Sequence, residues 1–352
     1  MKNKINRMEM AKRLGVSHMT VSRAFMENQS ISQKTRKKIL DACGKYGYSP
    51  SPLGRALRRG STNSICAIVP NIHQDAFSRL IHGIQEKAMQ HGYNITIFKP
   101  RTNGLLTLSE AMFIQNHKFD GIVIDSLCEP AVLKYLKSAK TPIVTVSERL
   151  NRESNTFYYI GTKDYESARE VAGYLISLGR KKLLHLAGTP GVNGKLRERG
   201  FIEKAREEGI NDFLVVTSGW VFEDGYRETT KLIGENIGFN AIFACNDYVA
   251  AGALHALHEK GVKVPDEVSL IGFAGDMLGE ALYPPLTTIF QPFEKMGERA
   301  AELLFEMIKK KKCIRGEEFF ENRLLIRKSC SPFSNLNKQE TNGLVRKYYL
   351  KT

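Results

Sequence analysis

The stretch Met8-Glu-Met-Ala-Lys-Arg-Leu-Gly-Val-Ser-His-Met-Thr-Val-Ser-Arg-Ala-Phe25 divides at Gly15 into two short helical segments. Met10, Leu14, Val16, Val21 and Phe25 recur at spacings that let two crossed helices share one small core, the pattern of a helix-turn-helix. Ser17 stands where an N-cap belongs, so its hydroxyl can satisfy free N–H groups of the second helix and aim that helix end at phosphates. The face opposite the core carries His18, Met19 and Arg23. In a DNA major groove an arginine can take both acceptors of a guanine, and a methionine can touch a thymine methyl. On these residues alone, a pair of amphipathic helices with a solvated face is an equal alternative.

Charge separates the two readings. Residues 1–60 hold 14 Lys and Arg against 3 Asp and Glu, a net +11 out of +15 for all 352 residues. A nearly neutral body thus follows a strongly basic head, which is the electrostatic footprint of a nucleic-acid module. A membrane-surface helix would need a broad apolar face that this head lacks. The length suits a small head and a larger, bilobed body, and 42% hydrophobic residues suffice for its cores. With no signal peptide and no bilayer-spanning apolar run, the expected location is the cytoplasm. Cys43, Cys66, Cys128, Cys245, Cys313 and Cys330 lack paired spacing and read as reduced thiols.

Tyr48-Ser-Pro-Ser-Pro-Leu-Gly-Arg-Ala-Leu-Arg-Arg-Gly60 opens with helix-start prolines and closes on a glycine stop. It is too short to be helical alone and should order only against a twin segment and a DNA groove. Leu57 has no core to join unless it wedges between base steps in a minor groove. A basic flexible linker is the other reading, and Gly54 favours it.

These residues resemble the LacI/GalR family of bacterial transcription regulators, from about Met8 to Leu325. The most specific matches are Gly15-Val-Ser-x-x-Thr-Val-Ser-Arg23, Tyr48-Ser-Pro50 with Arg55-Ala-Leu57, Phe119-Asp-Gly-Ile-Val123, Val264-Pro-Asp-Glu-Val-Ser-Leu-Ile-Gly-Phe273 and Pro284-Pro-Leu-Thr-Thr-Ile289. The resemblance puts His18, Met19 and Arg23 at base-reading positions, with Ser17, Thr20, Ser22 and Arg55 completing the DNA-contacting set and Leu57 as the intercalating hinge leucine. Gly54 departs from the family's usual alanine.

The body can be read from its own pattern. Apolar runs Ile65–Pro70, Asn94–Phe98, Gly121–Asp125 and Pro142–Val146 alternate with helices from Asp75, Thr107 and Pro130. The alternation restarts with helix Asp164–Leu178, strand Lys182–Ala187, helix Lys195–Glu208, strand Leu214–Thr217 and a helix from Glu223. Strand Ala241–Ala244, helix Asp247–Glu259 and strand Val268–Phe273 complete it. The pattern predicts an α/β protein: a small all-α head plus two doubly wound parallel subdomains, with a ligand cleft at strand carboxyl ends. The expected parts are a head at 1–48, a hinge at 49–60, an effector-binding and dimerisation body at 61–333, and a mobile tail at 334–352 without leucine heptads. Within the body, one subdomain takes about 61–161 plus 292–324 and the other about 162–291 plus 325–333. The resemblance implies a sensor like periplasmic sugar-binding proteins.

Phe77, in the first helix of the body, matches a family aromatic over the ligand; a core phenylalanine is the other reading. Arg197 matches an arginine that holds ligand hydroxyls or carboxylates, against a solvated helix arginine. Trp220, the only tryptophan, can stack on a sugar ring. Asn246 and Asp247 can cap the following helix and, by resemblance, touch ligand oxygens. Phe293 matches a further cleft aromatic. Most relatives have an aspartate where this chain has Ala274, and the loss would ease binding of an anion beside Arg197. Together with the resemblance of Gly272–Gly279 to the gluconate-repressor branch, this points to a sugar-acid effector such as gluconate, another hexonate or a uronate.

Enzyme readings have little support. Gly188-Thr-Pro-Gly-Val-Asn-Gly194-Lys195-Leu196 departs from a phosphate loop at Thr189 and Leu196. His255 and His258 lack further ligands at metal spacing. No cofactor is expected. The reading is a repressor acting as a homodimer on double-stranded operator DNA under control of a small effector. A sugar-binding module with only nonspecific DNA affinity is the alternative.

Overall fold

Side-chain caps start the helices of the head, as Ser17 predicts. In a computed structural model that describes residues 5–25, 31–49, 61–102, 104–150, 156–189 and 191–333, helix α1 (Arg7–Leu14) is capped by Asn6, α2 (His18–Ala24) by Ser17 and α3 (Gln33–Lys45) by Ser32. Gly15 ends α1 at φ 65°, a left-handed backbone that glycine adopts without strain. Met10, Ala11, Val21, Ala24, Ile39 and Cys43 form the buried core, edged by Leu14, Val16 and Phe25. Arg36 Nε donates to the Ala24 carbonyl at 3.1 Å and ties α3 to the end of α2. The expected hinge contacts Arg55 and Leu57 lie outside the described residues, as does the tail from residue 334.

The body is built on two six-stranded sheets and a short pair, β3 (Leu105–Leu106) with β5 (Leu127–Cys128). The first sheet contains β1 (Ser64–Ile68), β2 (Asn94–Phe98), β4 (Gly121–Ile124), β6 (Ile143–Val146), β7 (Tyr158–Thr162) and β13 (Gly316–Phe320). Its order is β13-β7-β6-β4-β1-β2, and every pairing is parallel. Helices α4 (Asp75–Gln90) and α12 (Phe293–Lys310) cover one face, and α5 (Leu108–Asn116) and α6 (Pro130–Ser138) the other. β4 and β6 are buried throughout, as continuous apolar runs require, whereas the edge strand β2 leaves Ile97 exposed.

The second sheet contains β8 (Leu183–Ala187), β9 (Phe213–Thr217), β10 (Ala241–Ala244), β11 (Ser269–Ala274), β12 (Thr287–Phe290) and β14 (Arg323–Leu325). It is ordered β14-β12-β11-β10-β8-β9, and only β14 runs antiparallel. Helices α7 (Asp164–Ser177) and α8 (Val192–Glu207) pack on one face, and α9 (Phe222–Gly234) and α10 (Asp247–Glu259) on the other; the short α11 (Leu278–Ala281) follows β11. Helix α8 begins three residues before the expected Lys195, at the Gly191 cap.

The chain crosses between lobes after β7, again at 291–292 between β12 and α12, and a third time at 321–322. The sequence pattern places the third crossing near 324, but β14 already pairs with β12 at Arg323. Because every strand but β14 runs parallel to its neighbours, each lobe presents one edge of strand ends to the other, and the residues just after those ends meet there.

Candidate functional site

In the head, Ser17 Oγ accepts the N–H of Thr20 at 3.0 Å. Ser17, His18, Met19 and Arg23 are exposed, Met19 at 55%. Arg23 makes no ion pair among the described residues. Thr20 and Ser22 are half-buried and locally engaged: Thr20 Oγ1 lies 2.8 Å from Ser17 Oγ, and Ser22 Oγ donates to the His18 carbonyl and accepts from Arg7 Nη1 at 3.3 Å. The exposed ridge of α2 and its cap is therefore Ser17, His18, Met19 and Arg23, and its chemistry suits base edges and phosphates.

In the body, the residues after the strand ends assemble one polar cluster. Arg197, 6% exposed, donates through Nη1 to the Cys245 carbonyl at 2.7 Å and lies 3.5 Å from Asp164 Oδ2. Its guanidinium covers the Phe273 ring at 3.7 Å, and its Nε makes no hydrogen bond. Asn246 caps α10 at Val249 and also donates to the Trp220 carbonyl at 2.9 Å. The Trp220 ring lies against Gly188, where a Cβ would meet it at 2.3 Å, and its Nε1 donates to Thr189 Oγ1 at 2.7 Å. The glycine-rich turn that departs from a phosphate loop thus seats the indole. Gln74, across from it, donates to the same Trp220 carbonyl at 3.0 Å.

Two expected effector residues sit deeper than their spacing suggests. Asp247 is fully buried: Oδ1 accepts from Thr288 Oγ1 and Oδ2 from the Asp276 N–H, each at 2.6 Å, so it braces the turn after β11. Phe293 is buried in the first lobe's core, and half-buried Phe77 packs on it at 6.4 Å between ring centroids. Phe77 and Trp220 stay half-buried and Arg197 keeps an Nε without a partner, whereas Asn246 is buried with Oδ1 and Nδ2 both engaged.

Four carboxylates escape the sequence reading. Asp125, Glu148 and Asp164 each follow a strand of the first sheet, and Asp276 follows β11. Asp125 is 3% exposed, and its Oδ2 makes no hydrogen bond. Burial, then the neighbouring Glu148 charge, raises its pKa well above the ordinary carboxylate range. Glu148 Oε1 reaches the other lobe, accepting the first N–H of α8 from Val192 at 2.8 Å. Beside it, Asn193 Nδ2 donates to the Ser147 carbonyl. Burial raises the Glu148 and Asp164 pKa values as well, while Arg197 opposes the rise in both. The aspartate missing at Ala274 does not leave this region without carboxyls, because Asp276 stands two residues on and these three follow strand ends of the first sheet. Their shared signal is position: each lies one to two residues beyond a strand's carboxyl end.

Asp276 makes the reciprocal crossing. Its Oδ1 accepts the Ala76 N–H at the start of α4 at 3.0 Å and lies 3.5 Å from Arg79 Nη2, which also donates to the Ala274 carbonyl at 2.8 Å. Burial, followed by the charge of Asp247, pushes Asp276 up to about 7, with Asp75 adding and Arg79 opposing. In a form with the lobes apart, water would return and the carboxyl would revert toward its usual value of about 4. The closed form then binds the extra proton, so acidification from about 7 toward 4 favours closure and alkalinity opposes it. A fluorescence pair spanning the lobes should report a shorter distance at pH 5.5 than at pH 8, and Asp276→Asn should weaken that response. A longer distance at low pH would contradict it.

Among the described residues, no helix is long and apolar enough to cross a membrane. Residues 8–51 match the lacI family of bacterial regulatory proteins, and residues 172–330 match a periplasmic binding protein-like domain. The chain is 30% identical over 333 residues to the transcriptional regulator DegA of Bacillus subtilis, covering 93% of this chain and 98% of that one. The fold superposes on a lac repressor dimer bound to operator and the anti-inducer ONPF with TM-score 0.81 and 20% identity, covering 94% and 100% of the two chains. It superposes on the transcriptional regulator CelR in complex with cellobiose with TM-score 0.69 and 22% identity, covering 92% and 99%.

Proposed function

Because this chain belongs to the LacI family of bacterial regulatory proteins, and is thus a DNA-binding transcriptional regulator rather than an enzyme, we propose that it is a cytoplasmic repressor whose operator affinity is set by a carbohydrate held between the two lobes. The observation that carries the DNA reading is the exposed ridge Ser17, His18, Met19 and Arg23 on a capped helix within residues 1–60, whose net charge is +11. One head supplies one recognition helix, so a homodimer on a near-palindromic operator follows from symmetry. The lac repressor neighbour, a dimer on its operator, supports that assembly. Arg23→Ala should weaken operator binding by about 1–3 kcal/mol and relax base preference at one position. An equal loss on every sequence would instead make Arg23 a phosphate contact.

For the effector, ring faces at Phe77 and Trp220 suit a sugar ring, and carboxylates are acceptors for its hydroxyls. CelR, which binds cellobiose, supports the class. Arg197 is the group that would favour the sugar acid expected from the sequence, but it already faces Asp164 and stands near Glu148. A carboxyl whose pKa burial raises can hold a proton and donate as well as accept, which matches sugar hydroxyls, and Arg197 is already engaged, so a neutral polyhydroxylated sugar is the better fit. Operator selected from random DNA, with binding read by fluorescence anisotropy against neutral sugars, sugar acids and purine bases, tests both parts. A neutral sugar that shifts affinity for a palindromic site is the expected result, and a sugar acid acting alone restores the gluconate reading. Failure to enrich any sequence would leave a sugar-binding module with generic DNA affinity.

A further inference from the structure

All six strands of the first sheet run the same way, so one end of that lobe collects every strand start. Ser64 opens β1 there, so the segment from the basic head enters the body at this end. Helix α12 also finishes there, because the chain turns directly from it into β13, whose first residue, Gly316, is in register with the first residue of β7. That turn reads Lys309-Lys-Lys-Lys-Cys-Ile-Arg315, and α6 leads to the same end through Lys137 and Lys140. Lys137, Lys140, Lys309, Lys311, Lys312 and Arg315 are exposed and make no ion pair among the described residues. Lys310 pairs with Glu306 at 2.5 Å. The carboxylates Asp125, Glu148 and Asp164 lie at the opposite end, which polarises the lobe.

A helix C-terminus accounts for a lysine or two in its last turn. It does not account for Lys312, Arg315 and Lys140, which lie beyond the helices. We propose that this basic end is a second DNA-contacting surface, engaging backbone phosphates of duplex flanking the operator. It rests on the operator reading for the DNA that the head holds, and it adds affinity without adding base specificity. The duplex is the occupant that fits, since the basic head leads along the chain to this end and these six cations make no ion pair among the described residues.

The test uses the full chain with Lys309→Gln, Lys311→Asn, Lys312→Gln and Arg315→Gln combined. Asparagine is chosen at 311 because that residue is left-handed, at φ 51°. Lys310 keeps its partner. Binding is measured on a short duplex confined to the selected operator and on a long duplex with the operator at its centre. The variant should match the parent on the short duplex and bind the long one roughly tenfold to a hundredfold more weakly, with a salt slope lower by about 2 to 4. Equal binding of parent and variant to the long duplex overturns the proposal. Equal losses on both duplexes overturn it too, and an unchanged thermal melting curve confirms that the variant is folded. If the parent shows no preference for any short sequence, the operator reading has failed, yet the long-duplex comparison still decides the lysine surface.

Discussion

Met10→Ala should abolish operator binding while leaving effector binding by the body intact. Met10 is fully buried and touches a core of few residues, with Val21 and Ile39 as its large partners. Truncating a buried methionine costs about 2–5 kcal/mol through lost transfer energy and the cavity left behind. A domain this small holds only a few kcal/mol in total, so that loss unfolds it. Calorimetry should show the parent's head transition disappear while the body's transition stays in place. Retention of operator affinity within threefold would mean that α1, α2 and α3 do not depend on this shared core.

Arg197→Ala should be the most damaging single substitution in the cleft, at about 3–5 kcal/mol, because it strands Asp164 as a buried charge without its cation. The Cys245 carbonyl and the Phe273 face lose their partner in the same step. Arg197→Lys keeps the charge but not the planar group over the ring, so it should recover only part of the loss. The double change Arg197→Met with Asp164→Asn leaves neither charge and should recover more, as removal of whole buried ion pairs does. Burial already raises the Asp164 pKa against the pull of Arg197. Without the arginine the rise grows, the native state holds a proton that the unfolded state releases, and stability falls as pH increases. Urea unfolding of the four proteins at pH 5 and pH 8 checks both statements. A loss under 1 kcal/mol in Arg197→Ala would show that the pair is dispensable.

The amino-acid sequence by itself determined the head and the alternation of the body. Met10, Val21 and Phe25 lie within one 16-residue stretch, so the spacing that makes them one core is local. Ser17 caps its helix through a residue three positions on. The apolar runs of β4 and β6 report burial on both faces directly, and Trp220 and Arg197 stand out by residue type. Tertiary structure alone decided which cleft candidates are drawn into the core. Asp247 and Asn246 are neighbours in the chain, yet a contact with Thr288, 41 residues away, draws Asp247 into the core, while Asn246 stays at the Trp220 carbonyl. Asp276 meets the N–H of Ala76 across 200 residues, and Glu148 meets that of Val192 across 44. Such pairings depend on how two separately wound sheets bring their strand ends together, and neither propensity nor periodicity in one segment carries that distance.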